Sequence, residues 1–355
     1  MLSSISFFLV LSAPFVSMAT GGGNMAPGIL APGSGNEVKK TRLINKSYPV
    51  TADDKLDIQN QFGNVTVSTW DKAEITVDIE IGARAATEEK AQDIIDRIGV
   101  DDDKDDHQIS FKTKVEEIHN SNGNRGREIE GERSFYIDYV IHMPSANRLE
   151  IENSFGKTEI PDFAGLVTLN SKFGSLNTGK LGNVDLVNVE FGRATIASVT
   201  NGRVTFKYDK ETRIGKVNGN VKITSDFSSN VQFNVADNVE DLSVFESYSA
   251  IRMVVGKDLS ADIEAHTSFG SFHNDTEFTI KEHREDESDY GPHFDKDYSG
   301  TAGDGKGKIR IKSSFGSVRI SNTNGRDSDD DGDDDKDKEK DKHKSKTTTV
   351  SVSES

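Results

Sequence analysis

An aromatic-centred motif recurs nine times along this 355-residue chain, and from Phe155 onward its steps are 18, 18, 17, 19, 21, 21 and 46 residues. The clearest copies are Ile58-Gln59-Asn60-Gln61-Phe62-Gly63, Ile151-Glu152-Asn153-Ser154-Phe155-Gly156, Leu169-Asn170-Ser171-Lys172-Phe173-Gly174 and Val187-Asn188-Val189-Glu190-Phe191-Gly192. Others centre on Tyr208, Phe227, Tyr248 and Phe269-Gly270, and the series closes on Ile311-Lys312-Ser313-Ser314-Phe315-Gly316. A period in this range marks stacked repeats, none of which can bury its apolar face alone.

Within each repeat the apolar period is two, the signature of strands rather than helices. With the aromatic taken as inward-facing, the residue four before it is apolar, and Val65 and Val67, Thr158 and Ile160, Ala194 and Ile196, and Val318 and Ile320 continue the inward set. The position two before it (Asn60, Asn153, Ser171, Ser225 and Ser313) also points inward, where amides and hydroxyls can bond turn backbone. The glycines Gly63, Gly156, Gly174, Gly192, Gly270 and Gly316 are expected to turn corners by taking positive φ. These glycines and Phe62, Phe155, Phe173, Phe191, Phe227, Phe269 and Phe315 form the structural repeat. The expected fold is all-β: a single-stranded β-solenoid (β-helix) with coils of 17–21 residues and a capping α-helix in the N-terminal part. On the inward reading, replacing Phe173 or Phe191 by Ala should cost ~3–5 kcal/mol.

Only 33% of residues are hydrophobic, low for a compact domain of this size and consistent with a thin core plus polar tails. Cysteine is absent, so no disulfide or thiolate operates here. Residues 1–19 read as a signal peptide: an apolar run from Ile5 to Val16, then Ser17-Met18-Ala19, without a basic start. The chain is therefore expected to be exported, to the periplasm, the outer-membrane surface or the medium. No later stretch approaches a membrane span. The net charge of −17 argues against nucleic acid as a partner.

Residues 20–40 read as a flexible Gly/Pro leader. Residues 41–145 hold the first motif copy, strands at Glu74 to Ile81, Gln108 to Val115 and Ser134 to Met143, and a helix from Thr87 to Ile98. Thr87 is its N-cap, and Ala91, Ile94, Ile95 and Ile98 share one face. This helix is expected to cover an open end of the stack. The loops Asp101 to Asp106 and His119 to Arg133 are charged. Residues 146–322 form the solenoid, with a protruding loop at 281–308, and 323–355 are an Asp/Lys-rich tail expected to be disordered.

Sites of chemistry are scarce. Asp327-Ser328-Asp329-Asp330-Asp331-Gly332-Asp333 opens like a calcium loop, but its twelfth position is Lys338 rather than a bidentate Glu. His273, His283 and His293 with Asp286, Asp289 and Asp295 have ligand chemistry but the wrong spacing. No metal and no cofactor is assigned. A carbohydrate-active enzyme would need carboxylates converging from neighbouring coils. The outward pairs read Gln61/Gln59, Ser154/Glu152, Lys172/Asn170, Glu190/Asn188 and Asp226/Thr224, which form no carboxylate column. Coil lengths of 17–21 also exclude rigid hexapeptide acyltransferase coils.

The strand Tyr139-Val140-Ile141-His142-Met143-Pro144, leading to Leu149-Glu150-Ile151-Glu152-Asn153-Ser154-Phe155-Gly156, and the later Phe-Gly copies resemble a family of exported bacterial proteins. They are known as "putative adhesins", with an autotransporter-adhesin head-like β-solenoid domain of unknown function, of the type common in Bacteroidetes. The resemblance covers residues 41–322 and implies a fold, but no catalytic residues. The reading is a non-catalytic cell-envelope protein acting in adhesion or in binding a glycan or other surface polymer. The alternatives are a periplasmic structural or envelope-stress role and, on fold analogy alone, a polysaccharide-active enzyme.

Overall fold

Among the described residues, backbone hydrogen bonds join twenty-two strands into one continuous sheet, accompanied by a single helix. The computed structural model describes residues 37–116, 135–283 and 294–322, all within the compact unit Glu37–Ser355. The segment 1–19 read as a signal peptide, the loop His119 to Arg133 and the segment 323–355 read as a tail lie outside the described residues.

In chain order the first elements are β1 (Val38–Pro49), β2 (Lys55–Gln61), β3 (Val65–Thr69), β4 (Glu74–Ala85), α1 (Glu88–Asp96), β5 (Ile98–Lys104), β6 (Gln108–Val115) and β7 (Phe135–Met143). The middle of the chain gives β8 (Arg148–Ser154), β9 (Lys157–Ile160), β10 (Phe163–Lys172), β11 (Ser175–Glu190), β12 (Arg193–Lys207), β13 (Glu211–Asp226) and β14 (Val231–Val235). Then come β15 (Asp241–Ser247), β16 (Ala250–Val255), β17 (Ala261–Ser268), β18 (Ser271–Asp275), β19 (Ile280–His283), β20 (Asp295–Ala302), β21 (Gly307–Ser314) and β22 (Ser317–Asn322). The three expected strands are present as β4, β6 and β7. Strand β1 begins inside the segment read as leader.

From β8 to β15 each motif copy pairs in parallel with the next one along. Leu169 lies opposite Val187, Val187 opposite Val204, Val204 opposite Ile223 and Ile223 opposite Val244, so the motif step is also the pairing offset. Pairing runs in two rows. One is β5-β6-β2-β8-β10-β11-β12-β13-β15-β21-β17-β20-β19. The other is β1-β4-β7-β3-β9-β11-β12-β13-β14-β16-β22-β18, and the long strands β11, β12 and β13 bend through both.

Register puts like on like inside. Ile58, Ile151, Leu169, Val187, Val204, Ile223, Val244, Ile311 and Ala265 form one buried column, and Val65, Thr158, Leu176, Ala194, Thr212, Val231, Ile251, Val318 and Phe272 form another. A side chain in such a column meets its counterpart one strand away, so each repeat buries the apolar face of the last. The polar positions predicted to point inward do so: Asn60, Asn153, Ser171, Ser225 and Ser313 are all buried. Asn153 Nδ2 donates to the Gly63 and Lys157 carbonyls at 3.2 and 3.3 Å, tying two strands at a corner.

Three features differ from expectation. The helix is shorter than expected, Glu88–Asp96, because Ile98 opens β5; Thr87 caps it by accepting from the Lys90 N–H, and it buries Ala91 and Ile95. Its contacts lie with β1, β4 and β5, near strands that end the sheet. Second, the segment 281–308 is not simply a protrusion: β20 pairs antiparallel with β17 and then with β19. An edge of parallel backbone groups is thereby covered instead of left open to another chain. Third, the last copy is not last in space. Strands β21 and β22 lie between β15–β16 and β17–β18, so the 46-residue step crosses over one intervening copy and returns.

Candidate binding surface

The aromatic residues of the motif face outward. Phe173, Phe191, Phe227, Phe269 and Phe315 are 47–54% exposed, and Tyr208 and Tyr248 are 48% and 50% exposed. Phe62 and Phe155 are half-buried. The inward expectation for these side chains is overturned, and the backbone gives the reason. All nine aromatics have φ between 52° and 64°, the left-handed region, which breaks the strand alternation at that residue and swings the side chain out.

The glycines are needed for a different property from the one expected. None of Gly63, Gly156, Gly174, Gly192, Gly270 and Gly316 is among the positive-φ residues. A Cβ on Gly156 would lie 1.7 Å from the Gly63 carbonyl oxygen, one on Gly174 1.9 Å from that of Gly156, and one on Gly192 2.5 Å from that of Gly174. Consecutive corners approach so closely that only hydrogen fits between them. Just before each glycine the aromatic N–H bonds the neighbouring strand: Phe155 to the Lys172 carbonyl, Phe173 to Glu190 and Phe191 to Lys207, each at 2.9 Å. The ladder therefore runs through the corner without interruption.

The outward rings stack. Phe62, Phe155, Phe173, Phe191, Tyr208, Phe227, Tyr248, Phe315, Phe269 and Phe294 follow one another with centroids 4.5–5.2 Å apart and planes within 17° of parallel. Phe135 meets Phe62 edge-on at 73° and closes one end. The spacing is that of the strands themselves, about 4.8 Å. Ring faces are covered by their neighbours and ring edges meet solvent, so the column is an apolar ridge and not a set of open platforms.

Where the glycine series stops, Asp209, Ser228 and Ser249 take its place and are buried. They form a relay of side chain to backbone: Gly192 N–H donates to Asp209 Oδ1 at 2.8 Å, Asp209 N–H to Ser228 Oγ at 3.1 Å and Ser228 N–H to Ser249 Oγ at 2.9 Å. Ser249 N–H donates to Glu246 Oε1 at 2.6 Å, and Ser313 Oγ donates to Glu246 Oε2. Burial pushes the Asp209 carboxyl up to about 7, with Glu190 adding to the rise and the Gly192 N–H opposing it. Burial also raises Glu246. Asp209 Oδ2 has no hydrogen-bond partner.

Of the sequence-predicted ligand candidates, His273 is exposed on β18, His283 is exposed on β19 and Asp295 begins β20. Asp286, Asp289, His293 and the Asp327 to Asp333 run lie outside the described residues. The structure instead brings His283 to Ser299, at 2.5 Å, and His266 to Asp297, at 2.8 Å, around a depression of about 290 Å³ that Arg310 and Lys312 also line. A second depression of about 460 Å³ surrounds Trp70, whose ring is tilted against His142 at 5.3 Å and carries Lys72 at 4.4 Å. Neither was legible in the sequence as a cluster, because strand pairing is what brings Asp297, Arg310 and Lys312 to His266, and His142 to Trp70. Among the described residues no helix is long and apolar enough to cross a membrane.

Comparison with known proteins yields distant structural likeness only. No protein-family profile and no curated protein matches the chain. A "putative adhesin" of Bacteroides fragilis matches at TM-score 0.40 and 12% identity, over 79% of this chain and 97% of that one. A "putative lipid binding protein" of Parabacteroides distasonis matches at TM-score 0.32 and 9% identity, over 81% and 98%. A "putative cell adhesion protein" of Clostridium sporogenes matches at TM-score 0.22 and 10% identity, over 80% and 100%. At these scores the likeness is too distant to assign this chain a fold or a function.

Proposed function

We propose that this chain is an exported, non-catalytic β-solenoid of the cell envelope that binds an extended surface polymer, in adhesion or in holding the envelope together. The observation that carries the reading is the uniform outward column. Residues in register on successive strands repeat at one strand spacing over ten stacked rings and the polar columns beside them. Groups repeated at that interval suit a linear partner lying across the strands, where contacts weak singly add along its length. The parallel pairing at the motif step supports the solenoid. Continuous apolar ridges on a protein surface commonly mark interaction sites.

Two measurements test this. Protease shaving of intact cells, read by mass spectrometry, is expected to release peptides from 281–308 at the surface; protection until the outer membrane is permeabilised removes adhesion and leaves a periplasmic role. Retention of the purified chain on immobilised envelope polysaccharide should grow with polymer length. Retention independent of length would count against repeated shallow contacts.

A further inference from the structure

We propose that the depression at Trp70 is a second binding site, separate from the aromatic ridge, and that it takes one uncharged pyranose ring of a glycan. Trp70 is the single tryptophan of the chain and directly follows β3, at the end away from the Phe62 corner. The floor of the depression is the outward face of four strands in register. Ser47 of β1 lies opposite Thr76 of β4, Thr76 opposite His142 of β7, and His142 opposite Ser68 of β3. In the next row Asn45 lies opposite Asp78. A volume of about 460 Å³ has room for a sugar ring.

The indole is held by its edge and offers its face. Its Nε1–H donates to the Glu74 carbonyl at 2.7 Å and its backbone N–H to the Met143 carbonyl at 3.1 Å, so the ring's one donor is spent within the protein. His142 flanks the ring at 5.3 Å, and over a ring face stands Lys72 Nζ, 4.4 Å from the centroid, at the tip of an exposed side chain. Such a contact is weak at an exposed position, and a flexible lysine gives it up readily. The C–H groups on one side of a pyranose carry partial positive charge and pack on the negative face of an indole as an ammonium does. Beside the ring, hydrogen-bonding groups are already oriented by the protein. Asn45 Nδ2 donates to Asp78 Oδ1 at 2.5 Å, and Ser47 Oγ donates to Glu74 Oε1. The second oxygen of each carboxylate, Asp78 Oδ2 and Glu74 Oε2, accepts no hydrogen bond from the described residues. A carboxylate with one oxygen fixed and the other open is an acceptor for a hydroxyl, and two of them beside an aromatic face match the hydroxyl rim and apolar face of a sugar. Charge narrows the class. Glu74 and Asp78 outnumber Lys72, and Lys46 at the rim is taken by Asp102 at 2.8 Å, so an acidic sugar would set a third carboxylate beside two. A small organic cation would displace Lys72 one for one and leave the hydroxyl acceptors unused.

With a single tryptophan in the chain, tryptophan emission reports this site alone. Titration of the full chain with glucose-, galactose- and mannose-based trisaccharides is expected to shift or quench that emission saturably in at least one series. Trigalacturonate and choline are expected to leave it unchanged. Titration calorimetry with the responding sugar then reads the variants. Trp70→Phe keeps an aromatic face and Trp70→Leu does not, while both lose the bond to Glu74, so a role in binding separates two variants that a purely structural role would not. Trp70→Leu should weaken affinity about tenfold or more and Trp70→Phe by less. If Trp70→Leu fails to fold by circular dichroism, Asp78→Ala should still weaken binding about tenfold. Equal affinity of the folded Leu and Phe variants, or wild-type affinity of Asp78→Ala, overturns the proposal. So does a response to choline or trigalacturonate as strong as to the neutral sugars, or no response to any sugar. A trisaccharide fills this site, so its result stands apart from the length-dependent retention that tests the ridge.

Discussion

A single hydrogen atom decides what can stand at each Phe-Gly corner. Gly174→Ala would put a methyl group 1.9 Å from the Gly156 carbonyl oxygen, and neither backbone can withdraw without breaking ladder hydrogen bonds. The expected loss is about 3 kcal/mol or more by chemical denaturation. Gly182→Ala, where the nearest atoms are 3.5 Å away, should shift stability by less than about 0.5 kcal/mol. Asp209 shows the opposite solution, a side chain fitted into the corner and left short of one partner. Its folded pKa of about 7 lies above the unfolded value, so the folded state holds the proton more tightly. The associated stability is fully present below about pH 4, declines as pH rises toward 7 and is gone above that. Asp209→Asn keeps the acceptor for Gly192 N–H and carries no charge. It should stabilise the protein by about 1–3 kcal/mol at pH 8 and by much less at pH 4, which thermal melts at the two pH values would read.

The aromatic column behaves as an element in its own right. Each ring gains stacking with two neighbours, offset by an aromatic residue held at positive φ. Because Phe191 is 48% exposed, Phe191→Ala should cost about 1–3 kcal/mol, less than the ~3–5 kcal/mol expected of a buried ring. Phe191→Gly loses the same stacking but relieves the left-handed backbone, so it should be about as stable as the Ala variant or better, reversing the usual order of Ala over Gly. A melting series over Phe, Ala and Gly tests both statements. Strand periodicity, the inward Asn and Ser positions, Thr87 as N-cap and the repeat length were all legible in the sequence, since each is a local pattern. The outward turn of Phe173 was not, because alternation counted from Leu169 carries through to the aromatic unless the backbone changes hand there. The juxtaposition of Arg252 and Arg319 was hidden for another reason: they are 67 residues apart and meet only through the crossover.

At the scale of the whole described unit, parallel strands fill the middle and antiparallel strands finish the ends, β4 and β5 on one side and β20 on the other. Removal of β21 and β22 should not behave like loss of a terminal repeat. It would leave β15–β16 and β17–β18 without the pair that joins them. Hydrogen exchange on a chain truncated after residue 306 is expected to lose protection over 261–275 as a block, while 148–255, still paired through β13–β15 and β14–β16, stay protected; protection retained over 261–275 would count against the inserted order.

That inserted pair also acts as a check on completeness. β21 and β22 are synthesised after β17 and β18 yet lodge on their inner side. A chain emerging in order carries a slot with two facing, unpaired strand edges until its final coil arrives, and a copy cut short before that coil keeps the slot open. Such edges recruit any compatible strand. Copies lacking β21 and β22 would therefore expose two edges more than the row ends β1, β5, β18 and β19 already present, and would associate more readily than copies that carry the pair.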